Sequence, residues 1–545
     1  MTRTPISETS RSNSWFSLAL KALALLLIST GVGWASSAKL GIGLWPGVVI
    51  GACIFGVSLF SMINLRGAPR EMGFTFGLKF FSVMAYKVMN FTLVMWLVND
   101  IGIPAKYGLT VVFCWAIVMS LCTLLAGSLS DALGLRRTLL LGVSFCVLAR
   151  LVMAGTTNQF IALGAGLLPL AIGEALCTPV LVAALRKFST AEQRSVAFSV
   201  FYAIMNFGFT VAYFVSDGVQ KAAGPDKMFS IDFAIFSGDF SVYRVMLLVS
   251  LVVELLMIPL ILMIRRGAEV TENGLVIKHE EVKHPGIGYV SATWLTVKEA
   301  AHETLVLFGG LIRTEGFHRL LIFLLLIGFL KVVFNVMDYV LPPFAVKELG
   351  SMETVGRLNA INGVLILVLA PAIGLMTKKY SAYSMVILGG LVTAASFVFM
   401  VMPTSVFQGM ADGWVGDVIG HHYLKLVGVV SPWYVMIAFW QIVFSVGEAF
   451  YSPRVYEYAS SIAPKGQEAS YASLSYVPLL IGKLITALLG FMGVMAWMCP
   501  KEGPGNPQLA WLMIGLMVLV APVGLLVFRR FIRMKEHGRE ETVTD

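Results

Sequence analysis

Gly173-Glu174-Ala175-Leu176-Cys177-Thr178-Pro179 stands inside one apolar stretch, and Gly447-Glu448-Ala449-Phe450-Tyr451-Ser452-Pro453 stands inside another. Downstream, at one constant offset, Gln193, Ser199, Tyr202 and Gly208 recur as Gln467, Ser473, Tyr476 and Gly482. Each copy reads apolar span, basic polar loop, apolar span. A duplicated two-span unit with a carboxylate in its apolar part is the pattern of a membrane protein assembled from two related halves. An ionised side chain at membrane depth costs several kcal/mol, so each glutamate needs a partner or a wet surround.

Composition agrees with a lipid environment. Of 545 residues, 57% are hydrophobic and only 13% charged, where soluble proteins carry about 25% charged residues. Mean hydropathy is +0.82. The net charge of +9 sits in short loops between spans, which fits topology and anionic headgroups and makes nucleic acid an unneeded partner. The six cysteines, Cys53, Cys114, Cys122, Cys146, Cys177 and Cys499, lie mainly in spans and lack metal-ligand spacing. They read as small core residues.

Hydropathy places spans near 15–34, 41–65, 75–98, 108–128, 138–155, 160–184, 195–216, 243–265, 319–341, 355–376, 383–401, 432–452, 471–496 and 509–529. The fold class expected is an all-α membrane protein of two six-helix bundles preceded by two extra transmembrane helices. Residues 1–74 hold a tail and that two-helix hairpin, which reads as retained rather than as a cleaved signal. Residues 75–265 form the first bundle, 266–318 a cytoplasmic linker, 319–535 the second bundle and 536–545 a cytoplasmic tail. Within the linker, 267–285 is polar and expected to be mobile. Trp294, Leu295, Val297, Ala300, Ala301 and Leu305 fall at helical spacing, as in a helix lying on a membrane face. With both termini cytoplasmic, about eighteen basic residues fall inside and about seven outside.

Between the second and third core spans stands Gly127-Ser-Leu-Ser-Asp131-Ala-Leu-Gly134-Leu-Arg136-Arg137. Glycines let helix ends approach closely, and an aspartate can bind helix N–H groups or an arginine. The motif resembles the loop signature of the major facilitator superfamily, with Leu135 where that family often has a basic residue. The resemblance covers residues 75 to 535 and implies that Gly127, Asp131, Gly134, Arg136 and Arg137 form a cytoplasmic gate. A degenerate echo, Gly374 with Lys378 and Lys379, stands in the second half.

Phe201-Tyr202-Ala-Ile-Met-Asn206-Phe-Gly208 is similar to the fifth-helix signature of the proton-coupled oligopeptide transporter family. Gly447-Glu448-Ala-Phe-Tyr-Ser452-Pro453, with Ala463-Pro464 after it, is similar to that family's tenth-helix segment, where the resemblance implies a glutamate lining the substrate site. Two positions depart from the family. Gly77-Leu78-Lys79-Phe80-Phe81-Ser82 replaces a Glu-x-x-Glu-Arg motif tied to proton coupling, and Thr178-Pro179 replaces a Lys-Pro pair.

In the fold so resembled, core helices one, four, seven and ten line a central cavity. Here helix one carries Lys87 and Asn90, helix four Glu174, helix seven Lys331, Asn335 and Asp338, and helix ten Gln441 and Glu448; helix eleven adds Lys483. Tyr202 and Asn206 join this set from helix five. Lys87, Lys331 and Lys483 nearly balance Glu174, Asp338 and Glu448, which suits a zwitterionic or multiply charged solute, or ion pairs exchanged during transport. Arg150 and Glu254 belong to scaffold helices and are expected to pair structurally. No histidine lies in a span, so a transported proton would use Glu174, Glu448 or Asp338. His421 and His422 read as a surface pair.

The function expected is secondary active transport of a small hydrophilic, peptide-like solute by alternating access, coupled to protons and without a cofactor or metal. An exchanger or exporter of another metabolite, and a membrane sensor or assembly factor that moves nothing, remain open alternatives. Phosphate loops, metal-ligand clusters and nucleophile elbows are missing from the sequence, which argues against an enzyme. Solute identity, direction and oligomeric state are not legible.

Overall fold

The computed structural model describes residues 65–223, 228–233, 236–271, 274–277, 315–377, 380–461, 477–491 and 505–533, with isolated positions in 48–59 and 291–309. Most of the expected N-terminal hairpin, Lys378, Lys379 and the C-terminal tail lie outside these residues.

The first helices are α1 (Arg70–Asn99), α2 (Ala105–Leu133), α3 (Leu135–Gly155), α4 (Gln159–Lys187), α5 (Ala191–Ala222) and α6 (Val242–Met263). The second series is α7 (His318–Glu348), α8 (Val355–Met376), α9 (Ala382–Val401), α10 (Pro432–Ser461), α11 (Val477–Phe491) and α12 (Pro507–Val527). Among the described residues, nine helices are long and apolar enough to cross a membrane. The other three, α2, α8 and α11, hold the shorter apolar stretches Thr110–Thr123, Val355–Ala370 and Val477–Thr486. The protein is a multi-pass membrane protein.

Local chemistry sets the helix starts. Thr190 Oγ1 accepts from the Gln193 amide at 3.2 Å, Ser241 Oγ from Arg244 at 3.2 Å and Asn506 Oδ1 from Leu509 at 3.1 Å, each satisfying an orphan donor of a first turn. At the α2–α3 junction Gly134 takes φ +83° and ψ 150°, a region open in practice only to glycine. The glycine of the loop motif is thus required by the turn itself.

Helices pack in two sets. In the first, α1 lies against α5 and α6, and α3 against α4 and α6; in the second, α7 lies against α11 and α12, and α9 against α10 and α12. The seam between sets is formed by α5 with α8 and α2 with α11. The duplicated glycines have equivalent tasks. Gly173 sits against the Gly142 carbonyl and Cys146, and Gly447 against the Gly389 carbonyl and Thr393, so α3–α4 and α9–α10 make the same close crossing.

Several expectations change in detail. The polar stretch after Arg266, expected to be mobile, contains an antiparallel pair, Ala268–Thr271 with Gly274–Ile277. A second hairpin, Met228–Phe233 with Phe236–Ser241, fills the α5–α6 connection. The long connection before α10 is helical over Thr404–Ala411 and Asp417–Leu424. In the linker, the described positions from Ser291 to Gly309 are helical, with Trp294 and Val306 exposed. Cys146 and Cys177 are buried, Cys122 is half-buried and Cys114 exposed, all as free thiols. Cys53 and Cys499 lie outside the described residues.

Candidate functional site

α7 carries a one-turn widening, a π segment over Val336–Val340, and Asp338 sits within it. Such bulges leave helical backbone groups unpaired and redirect a side chain, and they concentrate at functional sites. Here the redirected carboxylate meets the first helix set. Lys87 Nζ reaches Asp338 Oδ1 at 2.6 Å and Oδ2 at 2.7 Å, with both side chains about 8% exposed. Tyr213 from α5 donates to Asp338 Oδ1 at 3.0 Å, and Asn90 Nδ2 lies 3.4 Å from Oδ2. The Tyr339 hydroxyl donates to Asn90 Oδ1 at 2.6 Å. Phe209 and Tyr213 face the Lys87 ammonium at 4.9 and 5.1 Å from their ring centroids, a cation–π arrangement.

The duplicated glutamates have different surroundings. Glu174 Oε1 takes a 2.6 Å contact from Arg150 Nη2, and Arg150 Nη1 lies 3.4 Å from Glu254 on α6. Arg150 Nε donates to Ser250 Oγ at 2.7 Å, and Ser250 in turn donates to the Ala85 carbonyl of α1 at 2.8 Å. This cluster is buried within one helix set and ties α3, α4, α6 and α1 together. The expected Arg150–Glu254 contact forms, and Glu174, expected at the cavity, joins it.

Among the described residues Glu448 has no such arginine. Four residues beyond Cys146 stands Arg150, and four residues beyond Thr393 stands Phe397, packed against Trp440 and Trp511. Glu448 accepts neutral hydrogen bonds instead, from Tyr202 across the seam at 2.9 Å and from Asn362 of α8 at 2.8 Å. Among the described residues no cation lies within ion-pair distance of it, although Lys331 and Lys87 are in electrostatic reach. A carboxylate held by neutral donors can take up a proton without leaving a cation stranded.

The remaining expected residues divide. Lys331 donates to Ser452 at 2.9 Å, Asn335 to Thr486 at 3.2 Å and Gln441 to Asn359 at 2.9 Å, so these bonds lie within the second set. Asn206 Nδ2 donates to the Tyr202 carbonyl of its own helix at 2.9 Å. Lys483 is buried and lies in electrostatic reach of both Glu174 and Asp338. In the loop motif, Arg136 Nη1 donates to the Ile264 carbonyl at 3.3 Å and Arg137 is half-buried. Gly127 and Asp131 are helical, and their surroundings fall outside the described residues. His421 bonds to Asp417 and to the Gly428 carbonyl at 3.0 and 2.8 Å, which engages both ring nitrogens.

Asp217 and Arg357 were not among the expected site residues. Asp217, at the end of α5 remote from the α2–α3 junction, accepts from the Gly356 and Arg357 amides at 3.1 and 2.9 Å. It therefore caps the N-terminus of α8 from the opposite helix set. Arg357 Nε adds an ion contact at 3.7 Å, and its Nη1 donates to the Leu424 carbonyl at 2.9 Å. Together with Lys87–Asp338, this closes the seam at the end carrying residues 100–104 and 350–354. The available signal was Arg357, Asn359 and Asn362 inside one apolar span. Lys79 was also missed: it is buried, with its ammonium over the Phe201 ring at 5.0 Å.

Comparison with known families matches residues 75–421 to the Major Facilitator Superfamily. Comparison with curated proteins returns no match. Among solved structures, the chain is similar to a peptide transporter POT in complex with sulfate, at 16% identity over 85% of this chain and 95% of that one, with a TM-score of 0.60. It is similar to a POT family transporter in complex with 5-aminolevulinic acid, at 15% identity, 85% and 97% coverage and a TM-score of 0.61. A third likeness, to a structure described as giving insights into substrate recognition in proton dependent oligopeptide transporters, has 17% identity, 85% and 98% coverage and a TM-score of 0.57.

Proposed function

Because this chain belongs to the Major Facilitator Superfamily, a family of membrane transporters, we propose that it is a secondary active transporter. On this reading the bundles 75–265 and 319–535 rock about their seam and move a small, hydrophilic, charged solute with protons. The 266–318 linker tethers them from the cytoplasmic side, where the Lys- and Arg-rich loops place both termini. The conformation described is then the one closed to the outside, with Asp217–Arg357 and Lys87–Asp338 as its seals. The gate role of Gly127, Asp131, Gly134, Arg136 and Arg137 belongs to the opposite face.

One observation carries the reading: Glu448 of one bundle is held by Tyr202 of the other through a single neutral hydrogen bond. Rocking breaks that bond and changes the surroundings of a carboxylate that, among the described residues, no arginine or lysine neutralises at contact distance. Protonation and solute binding can thereby bias the same two-state element. Glu174, clamped by Arg150, lacks this freedom and serves the scaffold. The test is uptake into proteoliposomes of di- and tripeptides, amino acids and small organic acids, with and without an imposed pH gradient. Gradient-driven accumulation that Glu448→Gln abolishes, while exchange persists, is the expected result. Accumulation by Glu448→Gln equal to the parent would refute the coupling role, and a panel that never crosses the bilayer would refute transport.

A further inference from the structure

The connection between α9 and α10 does not rise clear of the helices it joins. Met402 is extended and Pro403 follows it, which turns the chain out of α9. The helix Thr404–Ala411 then packs against α10. Its buried Phe407 meets both Phe399, two residues from the end of α9, and Phe439, each with ring centroids 6.3 Å apart. Phe439 lies seven residues past Pro432, the first residue of α10, and so about 10 Å along the α10 axis at the usual helical rise. The connection therefore runs beside α10 at a depth that α9 and α10 themselves occupy, instead of capping them from above.

Three sides of this helix can be told apart. Phe407 and Ala411 face inward and are buried. Gln408 and Asp412, one turn apart, bond to each other at 3.0 and 3.1 Å and form a polar side. Val406 and Met410, also one turn apart, stand exposed on a third side. Beyond Gly413, Trp414 is 78% exposed and Val418, four residues on, is exposed as well. Single apolar residues scattered over a surface need no explanation, but an indole and three aliphatic groups along one short stretch do.

Continuity decides what covers them. α9 buries one side against α10 and α12 and leaves Leu388, Leu391, Val398 and Met402 exposed, the surface a spanning helix turns to acyl chains. Val406 follows Met402 one turn beyond the bend. No lysine or arginine occurs from 404 to 424, so the stretch lacks the polybasic footprint that anionic headgroups require.

We propose that residues 404–418 form an interfacial segment seated in the headgroup and upper acyl layer of a zwitterionic phospholipid bilayer. Val406, Met410, Trp414 and Val418 face the acyl chains, and Gln408 and Asp412 face water. Tryptophan suits that level, since its ring is apolar and its N–H finds headgroup oxygens. The same stretch of chain continues to the seam. The Tyr423 hydroxyl donates to the Arg357 carbonyl at 2.7 Å, and Arg357 Nη1 donates to the Leu424 carbonyl at 2.9 Å. The bilayer surface and the Asp217–Arg357 contact are thus joined through one connection. The inference needs only that α9 and α10 cross a membrane, and it is independent of the transport reading.

The test uses the full chain in phosphatidylcholine nanodiscs, with lipids brominated near the carbonyl end or near the methyl end of the acyl chain, and with iodide in the water. The Trp414 signal is the fluorescence difference between the parent and Trp414→Phe, a conservative change at an exposed position. Bromines near the carbonyl end should quench that difference most, bromines near the methyl end less, and iodide little. Val418→Trp in the Trp414→Phe chain should repeat this pattern. Gln408→Trp in the same chain should reverse it, open to iodide and out of reach of the bromines. Iodide quenching of the Trp414 signal without bromine quenching puts the segment in water and overturns the inference. Shielding from both quenchers overturns it as well, because a protein surface, a second copy or another part of this chain, then covers the face. Equal bromine quenching of Val418→Trp and Gln408→Trp overturns the stated orientation.

Discussion

Replacing Lys87 by methionine removes the ammonium from the shorter of the two described ion contacts that span the seam, Lys87–Asp338 and Arg357–Asp217, while keeping most of the side-chain volume. At the observed 2.7 Å to Asp338 Oδ2, the attraction is about 6 kcal/mol at an effective dielectric of about 20. Desolvation of the two ions offsets most of that, so the relevant figure is the cost of leaving Asp338 alone, about 3–5 kcal/mol for a buried pair. Tyr213 and Asn90 still serve the carboxylate, which places the expectation at the lower bound, about 3 kcal/mol or roughly two decades in the equilibrium between closed and open seams. Hydrogen exchange reads this equilibrium directly. The Gly356 and Arg357 amides bond to Asp217 of the opposite bundle, so they exchange only when the seam opens at that end. Their protection should fall by about two decades in Lys87→Met, and Asp338→Asn in the same chain should restore much of it, since the carboxylate is no longer stranded. Unchanged protection at Gly356 and Arg357 in a folded Lys87→Met protein would refute the view that the pair holds the bundles together. Strict additivity of the two substitutions would refute it equally.

Other outcomes follow from the same geometry. Arg150→Met strands Glu174 and Glu254 within one bundle and should destabilise it by about 3–5 kcal/mol, read as a lowered melting temperature; a loss within a degree of the parent would contradict the cluster's structural role. Gly134→Ala forces a Cβ onto φ +83° and ψ 150° and should cost about 1–3 kcal/mol, checked by thermal unfolding against Gly164→Ala, where a Cβ meets no neighbour. At the loop before α10, the Gly428 carbonyl and Asp417 hold His421 protonated above its ordinary range. Its contribution is therefore complete below about pH 6.5, the unfolded value, and fades as pH rises through the higher folded value. Protection of the 417–428 segment, corrected for intrinsic exchange, should fall across that window, and a profile identical in His421→Gln would refute the assignment.

Much of the fold was legible because lipid imposes local rules. Runs of apolar residues broken by basic loops located the helices, and the loop glycine Gly134 marked a turn whose backbone angles do require it. Boundaries moved where backbone hydrogen bonding extends past the apolar core, as in α10, which continues to Ser461. The hairpin at Met228–Ser241 escaped notice because its strands are short and its hydrophobic alternation weak. At the seam, Lys87, Asp338, Tyr202 and Glu448 stood out as polar groups inside spans, and the structure brings them together. Asp217 did not stand out, since it follows the end of a span, where a carboxylate is unremarkable. Its task as a cap for α8 exists only once α5 and α8 are side by side.

The sequence by itself determined the solvent, the duplication and the list of ionisable groups at membrane depth, because the penalty for a charge in lipid attaches to each residue where it stands. Only the tertiary structure decided which charge answers which. Glu174 and Glu448 occupy matching places in matching repeats, yet one faces Arg150 and the other lies where the corresponding scaffold position is Phe397. That difference arises from helices distant in the chain, and pairing energies depend on separations of a few ångströms that no spacing along the sequence encodes.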